Sequence, residues 1–257
     1  MTQRLINLNA DLGESFGAWQ MGDDSALLQI VSSANLACGF HAGDPLIMRH
    51  TVRLALAQGV SIGAHPSFPD LQGFGRRAMQ LSPAELEATI LYQVGALQAM
   101  ATAEGGRVSH VKPHGALNNI ACADAAVAAT VARAVHSLDP ALILLAPAHS
   151  ELARAGEAAG LPVRYEVFAD RAYLDDGQLM PRSRPGAVLH DAEQCVEHML
   201  VMLREQAIVA ASGHRLPTRI DSICVHGDGP EAVATARLIR QALEQAGYRL
   251  AALDRMG

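Results

Sequence analysis

The sequence predicts an α/β fold, a single-domain β/α barrel of about seven parallel strands over residues 1–257, and three observations predict it. Short apolar runs alternate with amphipathic stretches along the whole length, the β-α-β-α rhythm of a parallel sheet. Most of those runs lead into an acid, a histidine or a lysine, as expected where strand ends open on one polar rim. No Ser/Pro/Gly linker, repeat or low-complexity segment divides the 257 residues, 50% of which are hydrophobic, enough for one large core.

Taken in order, the candidate strands are Leu5 to Asn9, Ser33 to Cys38, Val60 to Gly63, Val108 to Val111, Leu142 to Ala146, Val163 to Phe168 and Ser222 to Val225. Arg249 to Leu253 is open as an eighth. Between them, Ser82-Pro83-Ala84-Glu85 places a hydroxyl at the N-cap, proline at the first helical position and a carboxylate at the third, which is a capping box. Leu86, Ile90, Val94 and Leu97 then recur on one helical face, and Gly105-Gly106 ends the helix. Asp124 and Ser150 read as further N-caps, Gly160 and Gly247 as C-terminal stops.

Two segments refuse the pattern: residues 63–77 (GAHPSFPDLQGFGRR) and 169–187 (ADRAYLDDGQLMPRSRPGA). They are long, rich in Gly, Pro and charge, and lack apolar periodicity, so they read as binding loops or lids; the alternative is a mobile surface loop.

Composition narrows the function. Formal charge is −6 and the sequence pI is near 6.0; no run of Lys or Arg offers a phosphate-backbone footprint, so nucleic acid is not an expected partner. The N-terminus lacks the apolar block and cleavage site of a signal peptide, and the most apolar stretch, Ala141 to Ala148, falls well short of the roughly 20 residues a membrane span needs. A soluble protein acting on a small molecule is expected. Cys38, Cys122, Cys195 and Cys224 show no C-x-x-C pairing, so buried reduced thiols and a cytoplasmic setting are expected. Cys38, near a strand end, is open to a nucleophilic role.

The strongest functional signal is where reactive side chains fall. Asp11 follows the first candidate strand, His41 the second, His65 the third, Lys112 and His114 the fourth, Asp170 the sixth, and His226 with Asp228 the last. Strands of a parallel barrel share a C-terminal face, so these residues are expected to meet in one pocket. Ionisable groups on several independent strand ends are hard to explain as packing, because buried charge is costly unless paired or functional. Lys112 is the only lysine in the chain; its ammonium is compact and its pKa can be lowered by burial, although a structural ion pair explains it equally well. His110 lies inside a strand and reads as a supporting or core residue; His50, His136 and His198 fall within helical patterns.

Asp11, His65 and His114 are residue types that ligate zinc, yet no H-E-x-x-H or C-x-x-C signature accompanies them, and acid and histidine clusters also work without metal. No G-x-x-x-x-G-K-[ST] loop appears, and Gly227-Asp228-Gly229-Pro230 is only a weak phosphate cradle. No G-x-S-x-G elbow supports a serine nucleophile.

The blocks that carry this chemistry resemble the LamB/YcsF family. They are residues 7–14 (NLNADLGE), 35–45 (NLACGFHAGDP), 63–70 (GAHPSFPD), 73–76 (GFGR), 112–117 (KPHGAL), 168–171 (FADR) and 225–228 (VHGD), in order along the chain. The resemblance implies a TIM-like barrel related to glycoside hydrolase and deacetylase barrels. It also implies a component of an ATP-dependent 5-oxoprolinase that works with separate B and C subunits. The implied reaction is 5-oxo-L-proline, ATP and water giving L-glutamate, ADP and phosphate, with ATP as co-substrate accompanied by magnesium.

On that implication Asp11, His65 and His114 do acid or base work, and Lys112 and His41 polarise an oxyanion or phosphate. Asp170, His226 and Asp228 orient partners or hold the magnesium ion. Arg76, Arg171 and Arg182 are candidates to grip the substrate carboxylate, and Asn9 and Asn35 are further substrate contacts. Two other readings stay open: a metal-dependent deacetylase acting alone, and a non-catalytic component delivering a small ligand. A homo-oligomer is compatible with each.

Overall fold

The structure, a computed structural model, describes residues 4–225 and 231–256. Its strands are β1 (Arg4–Leu12), β2 (Ser33–Ala37), β3 (Ser61–His65), β4 (Val108–Val111), β5 (Ile143–Pro147), β6 (Val163–Phe168), β7 (Ala207–Val209), β8 (Arg215–Pro217), β9 (Ser222–Val225) and β10 (Tyr248–Leu250). β1 to β6 pair in parallel in chain order. β9 then pairs with β6 through Glu166↔Ser222 and with β1 through Asn7↔Ser222, closing a seven-stranded barrel.

The eighth strand forms but does not enter the ring. β10 pairs only with Arg4 to Ile6 of β1, ahead of the register from Asn7 onward in which β9 and β2 pair with β1 in the ring. The antiparallel hairpin of β7 and β8 is an addition to the expected elements. Its signal is present in Ala207-Ile208-Val209 followed by the turn dipeptide Ser212-Gly213.

β1 runs to Leu12 because three neighbours share it, β10, β9 and β2 in succession, so Asp11 lies within the strand rather than after it. Side chains alternate across a strand. Leu8, Ala10 and Leu12 accordingly join the buried apolar core, whereas Asn7 and Asn9 hydrogen-bond to residues of neighbouring strands inside the barrel.

The helices are α1 (Asp24–Leu28), α2 (Pro45–Gln58), α3 (Pro83–Ala103), α4 (Gly115–Ala123), α5 (Ala125–Leu138), α6 (Glu151–Ala158), α7 (Ala192–Glu205) and α8 (Ala232–Gln245). The capping box at Ser82 and Glu85 forms as the sequence predicts. Leu86, Ile90, Val94 and Leu97 are all buried, each contributing roughly 1.5–3 kcal/mol by leaving water. Asp124 and Ser150 cap α5 and α6 with their side chains. Gly160 and Gly247 follow α6 and α8 at φ of 78° and 85°. Among the described residues no single helix is long and apolar enough to cross a membrane.

Candidate active site

The barrel interior is polar, and every group in it must find a partner because water is excluded. Asn9, Asn35, His110 and Glu166 are fully buried there. Asn35 donates from Nδ2 to Asn9 Oδ1 at 2.7 Å and to Asp11 Oδ1 at 2.9 Å. His110 Nε2 contacts Asn35 Oδ1 at 3.0 Å, and Asn9 Nδ2 donates to Glu166 Oε1 at 2.9 Å. Burial pushes the His110 imidazole down to about 3, so it is neutral. Asn9 and Asn35, expected as substrate contacts, are buried beneath the cleft and are not among the residues lining it.

Lys112 follows β4 and turns its ammonium into this network. Nζ lies 3.1 Å from Asp11 Oδ1, 3.0 Å from Glu166 Oε1, 3.3 Å from Asn9 Oδ1 and 3.1 Å from Cys224 Sγ. Burial alone would favour the neutral amine. The acids Asp11 and Glu166, with Cys224, outweigh it and hold the lysine well above its ordinary value. Lys112 is thus a permanent cation rather than a lysine depressed by burial. Glu166 is absent from the candidates that sequence reasoning yields; burial pushes its carboxyl up. Its only sequence signal is an acid in the otherwise largely apolar run Val163 to Phe168.

Above Lys112, three strand ends bring Asp11, His65 and His114 together. His65 Nε2 lies 3.3 Å from Asp11 Oδ2 and 3.0 Å from His114 Nδ1. Each imidazole is oriented by a backbone carbonyl: His65 Nδ1 is 2.6 Å from Lys112 O, and His114 Nε2 is 2.8 Å from Phe74 O. A carbonyl only accepts, so those nitrogens carry the hydrogens and His65 Nε2 and His114 Nδ1 face inward. Burial, then His41 and His65, hold the His114 pKa well below the usual imidazole range.

Glu14, the last residue of the first motif block, stands beside them, with Oε1 3.4 Å from His41 Nε2 and 3.6 Å from His114 Nδ1. His41 stacks on His114 with centroids 3.8 Å apart and planes 6° apart. Burial keeps His41 neutral too, with its pKa well below the ordinary value. His41, expected as a direct charge stabiliser, is not among the residues lining the cleft.

The cleft over this cluster has a volume of about 710 Å³ and is lined by Asp11, Glu14, His65, Lys112 and His114. Both long loops wall it. Residues 63–77 supply Phe74 and Arg76, and residues 169–187 supply a stretch from Leu174 to Arg182. The first loop is pinned by Gln93 of α3, which bonds Ser67 N and O at 2.9 and 2.8 Å, and by the Asp70–Arg77 ion pair. Phe74 and Gly75 both have positive φ, 53° and 63°. A Cβ on Gly75 would stand 2.2 Å from Ser67 Oγ and 2.8 Å from His114 Cδ2, so only glycine lets this loop approach the histidines.

The three arginines differ. Arg76 and Arg182 are exposed and line the cleft, and Arg76 lies over the Phe74 ring at 5.0 Å. Arg171 also reaches the cleft but is buried, and it donates to Met180 O at 2.8 Å and to Ala187 O at 3.3 Å, tying the second loop shut. Asp170 is half-buried beside Arg171 and His198 and does not line the cleft. His226 and Asp228 lie outside the described residues. Cys38 is no nucleophile by its setting: it is buried, and burial raises its thiol to about 12.

The LamB/YcsF family profile matches residues 6–257. The chain belongs to the LamB/YcsF family. It is similar to the A subunit of 5-oxoprolinase from Azoarcus sp. (strain BH72), with 63% identity over 98% of this chain and 98% of that one. It is also similar to the crystal structure of the lactam utilization protein from Thermus thermophilus, at 48% identity and a TM-score of 0.91, covering 96% of this chain and 99% of that one. The catalytic domain of a peptidoglycan N-acetylglucosamine deacetylase from Eubacterium rectale shares the fold alone, at 11% identity and a TM-score of 0.53, covering 98% of this chain and 89% of that one.

Proposed function

We propose that this member of the LamB/YcsF family is the A component of an ATP-dependent 5-oxoprolinase, hydrolysing the lactam of 5-oxo-L-proline to L-glutamate together with B and C subunits. The observation that carries this reading is the 63% identity, over nearly the full length of both chains, to a relative named as the A subunit of 5-oxoprolinase.

The chemistry explains what the site must do. Amide resonance makes a five-membered lactam a poor electrophile, and phosphorylation of its carbonyl oxygen by ATP turns it into an activated imidate that water can attack. A base must then take a proton from water, and an acid must protonate the departing ring nitrogen; the glutamyl phosphate so formed is cleaved by a second water, releasing phosphate and L-glutamate. Asp11, His65 and His114 line the cleft at hydrogen-bond spacing and suit those tasks. Lys112, 3.1 Å from Asp11 Oδ1, contributes positive potential beneath the reacting centre. Arg76 and Arg182 suit the substrate carboxylate, since a guanidinium grips it with two parallel bonds. ATP enters as co-substrate with magnesium, and the B and C subunits complete the catalyst. Four buried cysteines, all free thiols, support a cytoplasmic setting.

The test is reconstitution: this chain is mixed with candidate B and C subunits, 5-oxo-L-proline and ATP, and glutamate and phosphate are measured as each component is left out. Release of both products only from the complete mixture is expected. Turnover that persists without this chain removes the proposal.

A further inference from the structure

Among the described residues, no hydrogen-bond donor faces the inward nitrogens of His65 and His114. Backbone carbonyls fix the hydrogens on His65 Nδ1 and His114 Nε2, so two neutral rings present lone pairs to each other across 3.0 Å. Asp11 Oδ2 faces the same point, 3.3 Å from His65 Nε2. Three electron-rich atoms at these distances repel unless a cation sits among them. A proton on one nitrogen satisfies one neighbour well, whereas a metal ion satisfies all three.

The spacing fits an ion. Donors about 2.0–2.1 Å from a tetrahedral centre stand about 3.3 Å apart. The two separations here are 3.0 and 3.3 Å, and all three donor atoms lie within 4.8 Å of one another. The supporting bonds are those that orient metal-bound histidines, with the remote ring nitrogen donating to a carbonyl. Asp11 is likewise steadied through Oδ1 by Asn35 and Lys112.

A second observation points to the same place. His41 is 1% exposed, and neither of its ring nitrogens has a hydrogen-bond partner among the described residues. Its Nε2 faces Glu14 Oε1, and these two form with His114 another group whose donor atoms all lie within 4.8 Å. A buried imidazole lacking hydrogen bonds is costly unless its lone pair meets a ligand.

We propose that Asp11, His65 and His114 bind one first-row divalent transition ion of the zinc type, with Glu14 and His41 flanking it on the side of His114. Two imidazoles and a carboxylate favour such an ion over magnesium, which prefers oxygen ligands. The ion would supply Lewis acidity to an oxygen entering the cleft, and with Asp11, His65 and His114 engaged as ligands the proton transfers assigned to them above would pass to Glu14. The inference rests on ligand geometry and holds whether or not the lactam is the substrate; only the reaction served by the ion depends on the proposed function.

The experiment uses the full chain stripped with a chelator and titrated calorimetrically with Zn²⁺ alone, Co²⁺ alone and Mg²⁺ alone. One equivalent of zinc with a Kd of about 1 µM or tighter is expected, with magnesium at least about 100-fold weaker. His65→Ala and Asp11→Ala should each weaken zinc binding by at least about 100-fold, and His136→Ala, at an exposed position of α5, should leave it unchanged. Circular dichroism checks the fold of each variant. The visible absorption of the Co²⁺ form reports histidine ligation in the unsubstituted chain, so the test survives a variant that does not fold. Absence of saturable zinc binding, or stoichiometric binding untouched in both folded variants, overturns the inference. Turnover of the reconstituted system with chelated protein is scored separately: full turnover without zinc binding would end the metal proposal and leave the lactam reading standing.

Discussion

Lys112 Nζ lies 3.0 Å from Glu166 Oε1 inside the barrel, and the two residues are only 2% and 0% exposed. A buried pair of this kind is held by mutual need, because removing one partner strands the other's charge. Lys112→Met should therefore lower stability by about 3–5 kcal/mol in chemical denaturation. Adding Glu166→Gln should recover part of that loss. If Lys112→Met melts like the parent protein, the pair is no electrostatic anchor, and Lys112 is free to be a purely catalytic cation.

Gly75 tests how tightly the first loop is fitted to the histidines. Gly75→Ala adds a methyl 2.8 Å from His114 Cδ2 at a φ of 63°. The expected cost is about 1–3 kcal/mol of stability. Turnover in the reconstituted system should fall further than stability explains, because His114 is displaced. An alanine variant with parental turnover would show that the Phe74–Gly75 turn does not position His114.

Arg76 and Arg171 should separate in kinetics. Arg76 is exposed at the cleft, so Arg76→Ala should raise KM for 5-oxo-L-proline by about 10–100-fold, matching a charged hydrogen bond of about 1.5–3 kcal/mol, with kcat less affected. Arg171 spends its donors on Met180 and Ala187. Arg171→Ala should instead increase protease cleavage within residues 169–187. The reverse pattern would exchange the two assignments.

Asp70 gives the first loop a pH dependence. The hydrogen bond from Arg77, then backbone N–H donors of Arg77 and Gly73, hold its carboxyl below the ordinary 3.8 against a modest burial penalty. A depressed folded pKa means stability that is present above the unfolded value and lost as the pH falls through the folded one. The advantage of the parent protein over Asp70→Asn should thus be complete at about pH 6 and shrink as the pH falls below the ordinary 3.8 toward the depressed folded value. Denaturation midpoints across that range measure it, and a constant difference would assign Asp70 a role other than ion pairing.

Much of the architecture is legible in the sequence because it rests on local rules. The period of two in Asn7-Leu8-Asn9-Ala10-Asp11-Leu12, the capping box at Ser82 and the glycines at 160 and 247 act within a few residues of themselves. Lengths and partners are less so. β1 extends to Leu12 because three strands share its edges, and β10 stays outside the ring because it pairs only with the first three residues of β1. Neither fact has a local signature.

The sequence by itself determined the barrel and the set of reactive side chains carried to strand ends, since strand direction places those ends on one face whatever the contacts between them. Only the tertiary structure decided which members meet, which support them from below and in what protonation state. It turned Asn9 and Asn35 inward, paired Lys112 with an unforeseen Glu166, and set His65 against Asp11 and His114. The reason is physical: strand order and alternation are fixed by nearest neighbours along the chain. Hydrogen bonding and charge inside a closed barrel depend instead on residues more than a hundred positions apart, brought within about 3 Å where no water competes.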